Sequence, residues 1–304
     1  MDSSALETFL AVHRRGGVST AAGALARTQS AISRRLALLE DELGTPLFER
    51  VGRRMVLSEA GAALLPHAER VAAAIDDARA AIEAVKTGAA GSVRVVAVGT
   101  LADAALSHAL QRVRAEHPGL DLRLHTATSA EVSAQVRAGA ATIGLRYFAD
   151  RSPELDCRVV RHELLVVACA PTHRLAGKRV RTLARLATER WLAFPLQERR
   201  SEKHAATVFA QFQARGIHDI DWVAIDSLTA QKRLLEAGFG MALLQASAID
   251  EELARRRLAT IRVDDLRVRI PVTCVLRKGG YLSGGAQALL RALRVAPAHH
   301  STTG

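Results

Sequence analysis

The chain has 304 residues, 49% of them apolar, enough for sizeable cores and, by length, for two or three domains. No run of roughly 18 apolar residues occurs, which excludes a transmembrane helix, and the three cysteines form no C-x-x-C pair that would suggest a zinc or thioredoxin-like site. The formal charge of +11 excludes little: residues 1–90 balance 11 basic against 11 acidic side chains, and the basic set is 37 Arg and 5 Lys, a compositional bias.

The chain opens on an amphipathic helix carrying Leu6, Phe9 and Leu10, with Ser4 and Glu7 spaced as a capping box. A basic-then-apolar signal segment is absent, so the protein is expected in the cytoplasm. Residues 19–61 then predict two short helices, a tight connection and an Arg-bearing hairpin. Ala21, Ala22 and Ala26 permit close helix crossing, while Leu25, Ile32, Leu36, Leu39 and Leu43 supply an apolar stripe. Thr28 is placed to cap the second helix. That leaves Gln29, Ser30, Ser33, Arg34 and Arg35 in its N-terminal half, where a recognition helix meets base edges. Gly44 and Pro46 end the helix, since Gly tolerates left-handed φ and Pro cannot continue a helix. Arg50, Arg53 and Arg54 flank a turn at Gly52 and form a cationic wing. The segment reads as a winged helix-turn-helix, with Thr28, Gln29, Ser30, Ser33, Arg34, Arg35, Arg50, Arg53 and Arg54 as candidate DNA contacts.

Here the sequence resembles a family. Ala21-Ala22, Leu25-Ala26, Thr28-Gln29, Ile32-Ser33, Leu38-Leu39-Glu40, Leu43-Gly44, Pro46-Leu47-Phe48, Arg50, Leu57, Glu59, Ala60 and Gly61 match the DNA-binding end of LysR-type transcriptional regulators. Many residues in order at fixed spacing make this specific, and the likeness continues more weakly to about Leu293. Ser30 departs from the family's frequent Pro. It only forgoes a pre-organised first turn.

From Ser58, a second cap, to Lys86 the pattern is one long helix with Pro66 expected to kink its first turns. Leu64, Ala68, Val71, Ile75, Ala78, Ile82 and Val85 recur at alternating steps of four and three, a heptad seam. Packing in cis is one reading. Pairing with the same helix of a second subunit is favoured, as the resemblance also implies. Thr87-Gly88-Ala89-Ala90-Gly91 is a small-residue linker and the best domain boundary. Strands are then expected at 93–98, 120–124, 143–147, 164–170, 223–225, 241–244 and 270–277. Helices alternate with them, capped by Thr100 (with Asp103), by Thr128 (with Glu131) and by Ser227. The last helix covers 287–294. This is an α/β domain with a mostly parallel sheet.

The resemblance implies more: an effector-binding domain of two subdomains like those of periplasmic binding proteins. The chain is then divided as 1–58 (DNA-binding), 59–90 (linker and dimerisation helix) and 91–304 (effector domain). Its subdomain I covers about 91–161 and 266–295, and subdomain II about 162–265. Ligands of such sheets sit beyond the carboxyl ends of strands, facing helix N-termini. Candidate effector residues are therefore Thr100, Thr128, Ser129, Arg146, Arg199, Arg200, Ser201, Ser227 and Gln245. For the hydroxyl residues the plain alternative is capping alone. Arg146, Arg199 and Arg200 facing the cleft would favour a carboxylate or phosphate effector; otherwise they are surface charge.

The expected protein is thus a DNA-binding regulator with no catalytic residues, metal or cofactor. Its partners are double-stranded DNA, a small-molecule co-inducer, further copies of itself (dimer or tetramer) and, as a further candidate, RNA polymerase, with no membrane. A regulator sensing oxidants through Cys157 and Cys169 is one alternative. A solute-binding protein or an enzyme is another. Gly238-Phe239-Gly240 and Gly279-Gly280 are too short for a nucleotide fingerprint, and neither rival accounts for the first 90 residues.

Overall fold

The structure is a computed structural model that describes residues 1–52, 54–87, 91–195 and 208–295. The N-terminal unit packs helices α1 (Ser3–Arg15), α2 (Val18–Ala24) and α3 (Gln29–Leu43) against a hairpin of β1 (Phe48–Val51) and β2 (Arg54–Leu57). Its core joins Leu6, Phe9, Leu10 and Val12 to Ala21, Ala22, Ile32, Leu36, Leu39, Leu47 and Phe48. Asp2, not Ser4, caps α1, accepting from the Ala5 N–H at 2.7 Å. Ser4 instead lies inside the helix, where its Oγ receives guanidinium groups from α2–α3. Thr28 caps α3 and Gly44 closes it at φ 68°.

Helix α4 (Glu59–Thr87) is capped by Ser58, whose Oγ accepts from Gly61 N–H at 3.0 Å. A Cβ on Gly61 would stand 2.0 Å from the Leu47 carbonyl oxygen. The helix start is therefore pressed onto the segment before the wing, and glycine is required there. The helix continues unbroken through Pro66. Its first turns are not free seam: Ala68 is fully buried, and it and Leu64 pack into the winged-helix core. These two seam positions are corrected to intramolecular packing. Farther on, Val71 (42%), Ile82 (59%) and Val85 (86%) are exposed. Of the linker, residues 88–90 lie outside the described residues.

The remaining chain forms β3 (Ser92–Val98), α5 (Ala104–Glu116), β4 (Asp121–Ala127), α6 (Ser129–Arg137), β5 (Ile143–Tyr147), β6 (Leu155–Cys169), β7 (Arg179–Val180), β8 (Trp191–Ala193), α7 (Val208–Gln213), β9 (Trp222–Ala224), α8 (Leu228–Glu236), β10 (Met241–Gln245), α9 (Asp250–Ala254), β11 (Ala259–Val263), β12 (Arg269–Arg277) and α10 (Gly284–Val295). Neighbouring strands run in the order β4-β3-β5-β12-β6-β10-β8-β9. The sheet is mixed rather than mostly parallel. β4, β3 and β5 are parallel, as are β10, β8 and β9, but β6 and β12 are antiparallel to their neighbours and to each other. The cause is β6 itself. Its first ten residues pair with β12 and its last five with β10, so one 15-residue strand belongs to both halves. The chain returns between β11 and β12. Each half has its own cores: Val95, Leu106, Ile143, Leu145, Val272 and Leu289 in one, Val167, Leu183, Trp191, Phe212 and Ile261 in the other.

Candidate nucleic-acid interface and ligand cleft

The interface follows from how α3 is seated. Ile32, Leu36 and Leu39 turn inward, so Gln29, Ser30, Ser33 and Arg34 stand exposed on the opposite face, with Thr28 just before them. The Thr28 and Ser30 hydroxyls are 3.1 Å apart. Arg50 and Arg54 are exposed on the two strands of the wing. Arg53 lies outside the described residues. Arg35 departs from the expected grouping: it points back from the exposed face, half-buried, and donates to Ser4 Oγ on α1. Its guanidinium ties the recognition helix to the first helix. Six of the nine sequence-derived positions thus share one exposed face of α3 or its adjoining hairpin with Thr28 as cap.

The ligand cleft expected from the sequence falls where the two half-sheets meet at β6. On one side, Thr128 caps α6 in a reciprocal box, accepting from Glu131 N–H while Glu131 Oε2 accepts from Thr128 N–H at 2.8 Å. Ser129 follows, buried. On the other side, Ser227 caps α8, and Gln245 ends β10 opposite Leu165 of β6. Arg199, Arg200 and Ser201 lie outside the described residues. Thr100 caps no α-helix. It sits in a 3-10 turn, and its Oγ1 is 2.8 Å from the Tyr147 hydroxyl. Asp103 caps α5 instead, accepting from Leu106 N–H at 3.0 Å.

Arg146 is the larger correction. Along β5, Leu145 and Tyr147 enter one core while Gly144 and Arg146 face α6. Arg146 is 7% exposed and donates to Ser133 Oγ at 2.6 Å and to Asp150 Oδ2 at 3.0 Å. Burial alone would raise the Asp150 pKa. Hydrogen bonds from Ser152 and Ser133 and the Arg146 charge outweigh it and bring the carboxyl to about 2. This guanidinium is already neutralised and is not a cleft ligand.

A charged cluster near the junction of the two halves is a group that sequence reasoning missed. Arg161 on β6 donates to Glu163 Oε1 at 2.7 Å and to Asp103 Oδ2. Burial lifts the Asp103 carboxyl above its ordinary range, although Arg161 and the Leu106 N–H oppose the shift. Burial also pushes up the Tyr147 hydroxyl. Two carboxylates and one guanidinium leave this cluster with a net negative charge. The signal available in sequence was the Arg-x-Glu alternation on β6, which places both side chains on one face.

The cysteines do not make a sensor pair. Cys157 and Cys169 lie on the same strand, about 40 Å apart at ~3.3 Å per residue, far beyond disulfide reach. Burial raises both thiols, Cys169 to about 11, which suppresses the thiolate that oxidants attack.

A winged helix-turn-helix with an exposed polar helix face, joined to a two-part α/β domain whose halves share β6, has the architecture of a DNA-binding protein of the ligand-responsive class. The pattern of the family described as "Bacterial regulatory helix-turn-helix protein, lysR family" matches residues 3–62, and that of the "LysR substrate binding domain" matches residues 86–297. The chain belongs to the LysR family. It is 29% identical to the RuBisCO operon transcriptional regulator of Allochromatium vinosum over 93% of this chain and 92% of that one. It is 30% identical to the uncharacterized HTH-type transcriptional regulator YeiE of Escherichia coli K12 over 85% of each. It is also similar to the structure of full-length CbnR complexed with its target DNA (TM-score 0.65, 25% identity, 98% of this chain and 100% of that chain). The protein is a DNA-binding transcriptional regulator with an effector-binding domain, not an enzyme. Among the described residues no helix is long and apolar enough to cross a membrane.

Proposed function

We propose that this regulator binds a pseudo-palindromic site through two α3 helices in successive major grooves, presented by a dimer joined along α4 and assembled further into a tetramer. It acts in the cytoplasm and needs no cofactor. A small co-inducer in the cleft controls it, and RNA polymerase is the partner through which it would activate transcription. The observation that carries the reading is the exposed Gln29–Ser30–Ser33–Arg34 face beside the cationic wing. The likeness to full-length CbnR in complex with its target DNA supports DNA binding by this chain.

The effector we infer is a small organic acid that also brings a hydrogen-bond donor. The N-termini of α6 and α8 and the Arg199-Arg200 pair favour its carboxylate. The acidic cluster of Asp103 and Glu163 favours a donor and disfavours a polyanion.

The DNA reading is tested by comparing two kinds of arginine. Arg34→Ala should cost about 1–3 kcal/mol on the operator and little on scrambled DNA, the signature of a lost base contact. Arg53→Ala with Arg54→Ala should weaken both DNAs alike and flatten the salt dependence. Equal losses on both DNAs for Arg34→Ala would move that residue to the phosphate backbone.

A further inference from the structure

Helix α3 is seated in the head along a narrow stripe. Of its 15 residues only Ile32, Leu36 and Leu39 are buried. At about 100° per residue these three lie within about 60° of one another. Apolar burial is non-directional, so a stripe of this width resists withdrawal of the helix better than it resists roll about the helix axis.

Two polar contacts flank the stripe. Arg35 and Glu40 project roughly 65–75° to either side of its centre. Glu40 Oε1 accepts from the Leu47 N–H at 2.7 Å, just before the wing. Arg35 Nη1 donates to Ser4 Oγ on α1. Arg27, from the connection before α3, reaches the same oxygen at 3.4 Å. Hydrogen bonds are directional, so one contact on each flank braces the helix against roll in both senses.

Base reading is sensitive to that roll. A helix with its side chains is about 10–12 Å across, so a roll of ~10° carries a surface atom by about 1 Å. Such a shift breaks a bidentate contact with a base edge, because donor–acceptor distances span only about 2.7–3.2 Å. Arg34, adjacent to Arg35 in the chain, stands on the exposed face.

We propose that Ser4 and Arg35 are positioning residues for operator recognition: their contact fixes the roll of α3, and with it the aim of Gln29, Ser30, Ser33 and Arg34, without touching DNA. A hydroxyl suits this part better than a carboxylate. It accepts from the guanidinium yet adds no negative charge beside the DNA phosphates. The effect on recognition rests on the reading above that this face of α3 meets base edges.

The test uses the full-length protein, an operator selected from random DNA and a scrambled duplex. Ser4→Ala should lower the ratio of the two affinities by roughly tenfold with the salt dependence unchanged, since no phosphate contact is lost. Ser4→Thr restores a hydroxyl and should restore the ratio. Arg35→Ala should reproduce the loss, and the double variant should lose no more than Ser4→Ala alone, because both act through one contact. Without DNA, hydrogen exchange over residues 33–43 should accelerate roughly threefold or more in Ser4→Ala. A wild-type affinity ratio in Ser4→Ala would overturn the brace. So would equal losses on both DNAs with a flatter salt dependence in Arg35→Ala, which would make Arg35 a phosphate contact. Wild-type exchange in Ser4→Ala would overturn it whichever residues read the bases. Failure of base reading by α3 shows separately, in Arg34→Ala, so the two failures are told apart.

Discussion

Arg146, expected at the cleft, and Arg161, which was not, are both buried or half-buried arginines with different work. Arg146 locks Ser133 and Asp150 beneath α6, while Arg161 bridges Asp103 and Glu163 near the junction of the halves. Arg146→Ala should therefore cost about 3–5 kcal/mol, since it strands a largely buried carboxylate, and should leave ligand preference unchanged. Thermal unfolding with and without effector distinguishes this from loss of a binding residue. Asp150 gives a pH signature. Its folded pKa is about 2, below the ordinary 3.8, so its contribution to stability is present above that ordinary value and disappears as pH falls toward 2. Asp150→Asn should lower stability at neutral pH and flatten the acid limb between about pH 4 and pH 2, as read by unfolding midpoints across that range. Sequence reasoning put Arg146 at the right strand end but on the wrong face. Period-two alternation tells which residues share a face, and only the packed sheet tells which way that face looks. Thr128 and Ser227 were legible because a cap is a local device. Thr100 was misread as a cap because Asp103, three residues on, has the same chemistry and took the position.

At the scale of elements, α4 and β6 are each single pieces that serve two units. The heptad stripe of α4 was plain in sequence, but its division was not. Leu64 and Ala68 are drawn into the winged-helix core because Gly61 lets the helix start lie against Leu47. Val71, Ile82 and Val85 remain uncovered. Ile75→Glu places a charge in the part of the stripe left for a partner and should cost several kcal/mol of dimer stability. Sedimentation should then show a smaller species with weakened operator binding, whereas the same charge at Ala68 would instead unfold the head. An unchanged oligomer for Ile75→Glu would mean that this stripe is not the subunit contact. The β6 strand was legible only in its upper half, 164–170. Its lower half, with Arg158, Arg161 and His162, lacks the unbroken apolar run of a buried strand, because Arg158, Val159 and His162 there are exposed. The extension also carries Cys157 far from Cys169, which settled their relationship against pairing.

For the whole molecule, the organisation readable from sequence was the order of its parts: a head that needs a basic exposed helix face, a long helix, and alternating strands and helices. What was not readable was how the parts bear on one another, since Asp77 meets Arg277 across two hundred residues of chain and no local pattern encodes that meeting. A co-inducer can shift the balance of states only by the difference in its affinity for them, so a ligand spanning α6 and α8 would favour the closed cleft. A thermal-shift screen of small acids against their neutral isosteres and against di- and tricarboxylates addresses its chemistry. A hydroxy or amino monocarboxylate should raise the melting temperature, by the linkage of ligand to the folded state. Polyanions should do so less if the ligand meets the net negative charge of the Asp103–Arg161–Glu163 cluster. Glu163→Gln should narrow the gap between mono- and polycarboxylates by removing that charge, with operator affinity in the absence of ligand preserved. If neutral compounds stabilise as well as their acids, the helix ends serve only as caps and the acid reading fails. If polyanions stabilise best, the Asp103–Arg161–Glu163 cluster does not face the ligand and that part of the effector reading fails.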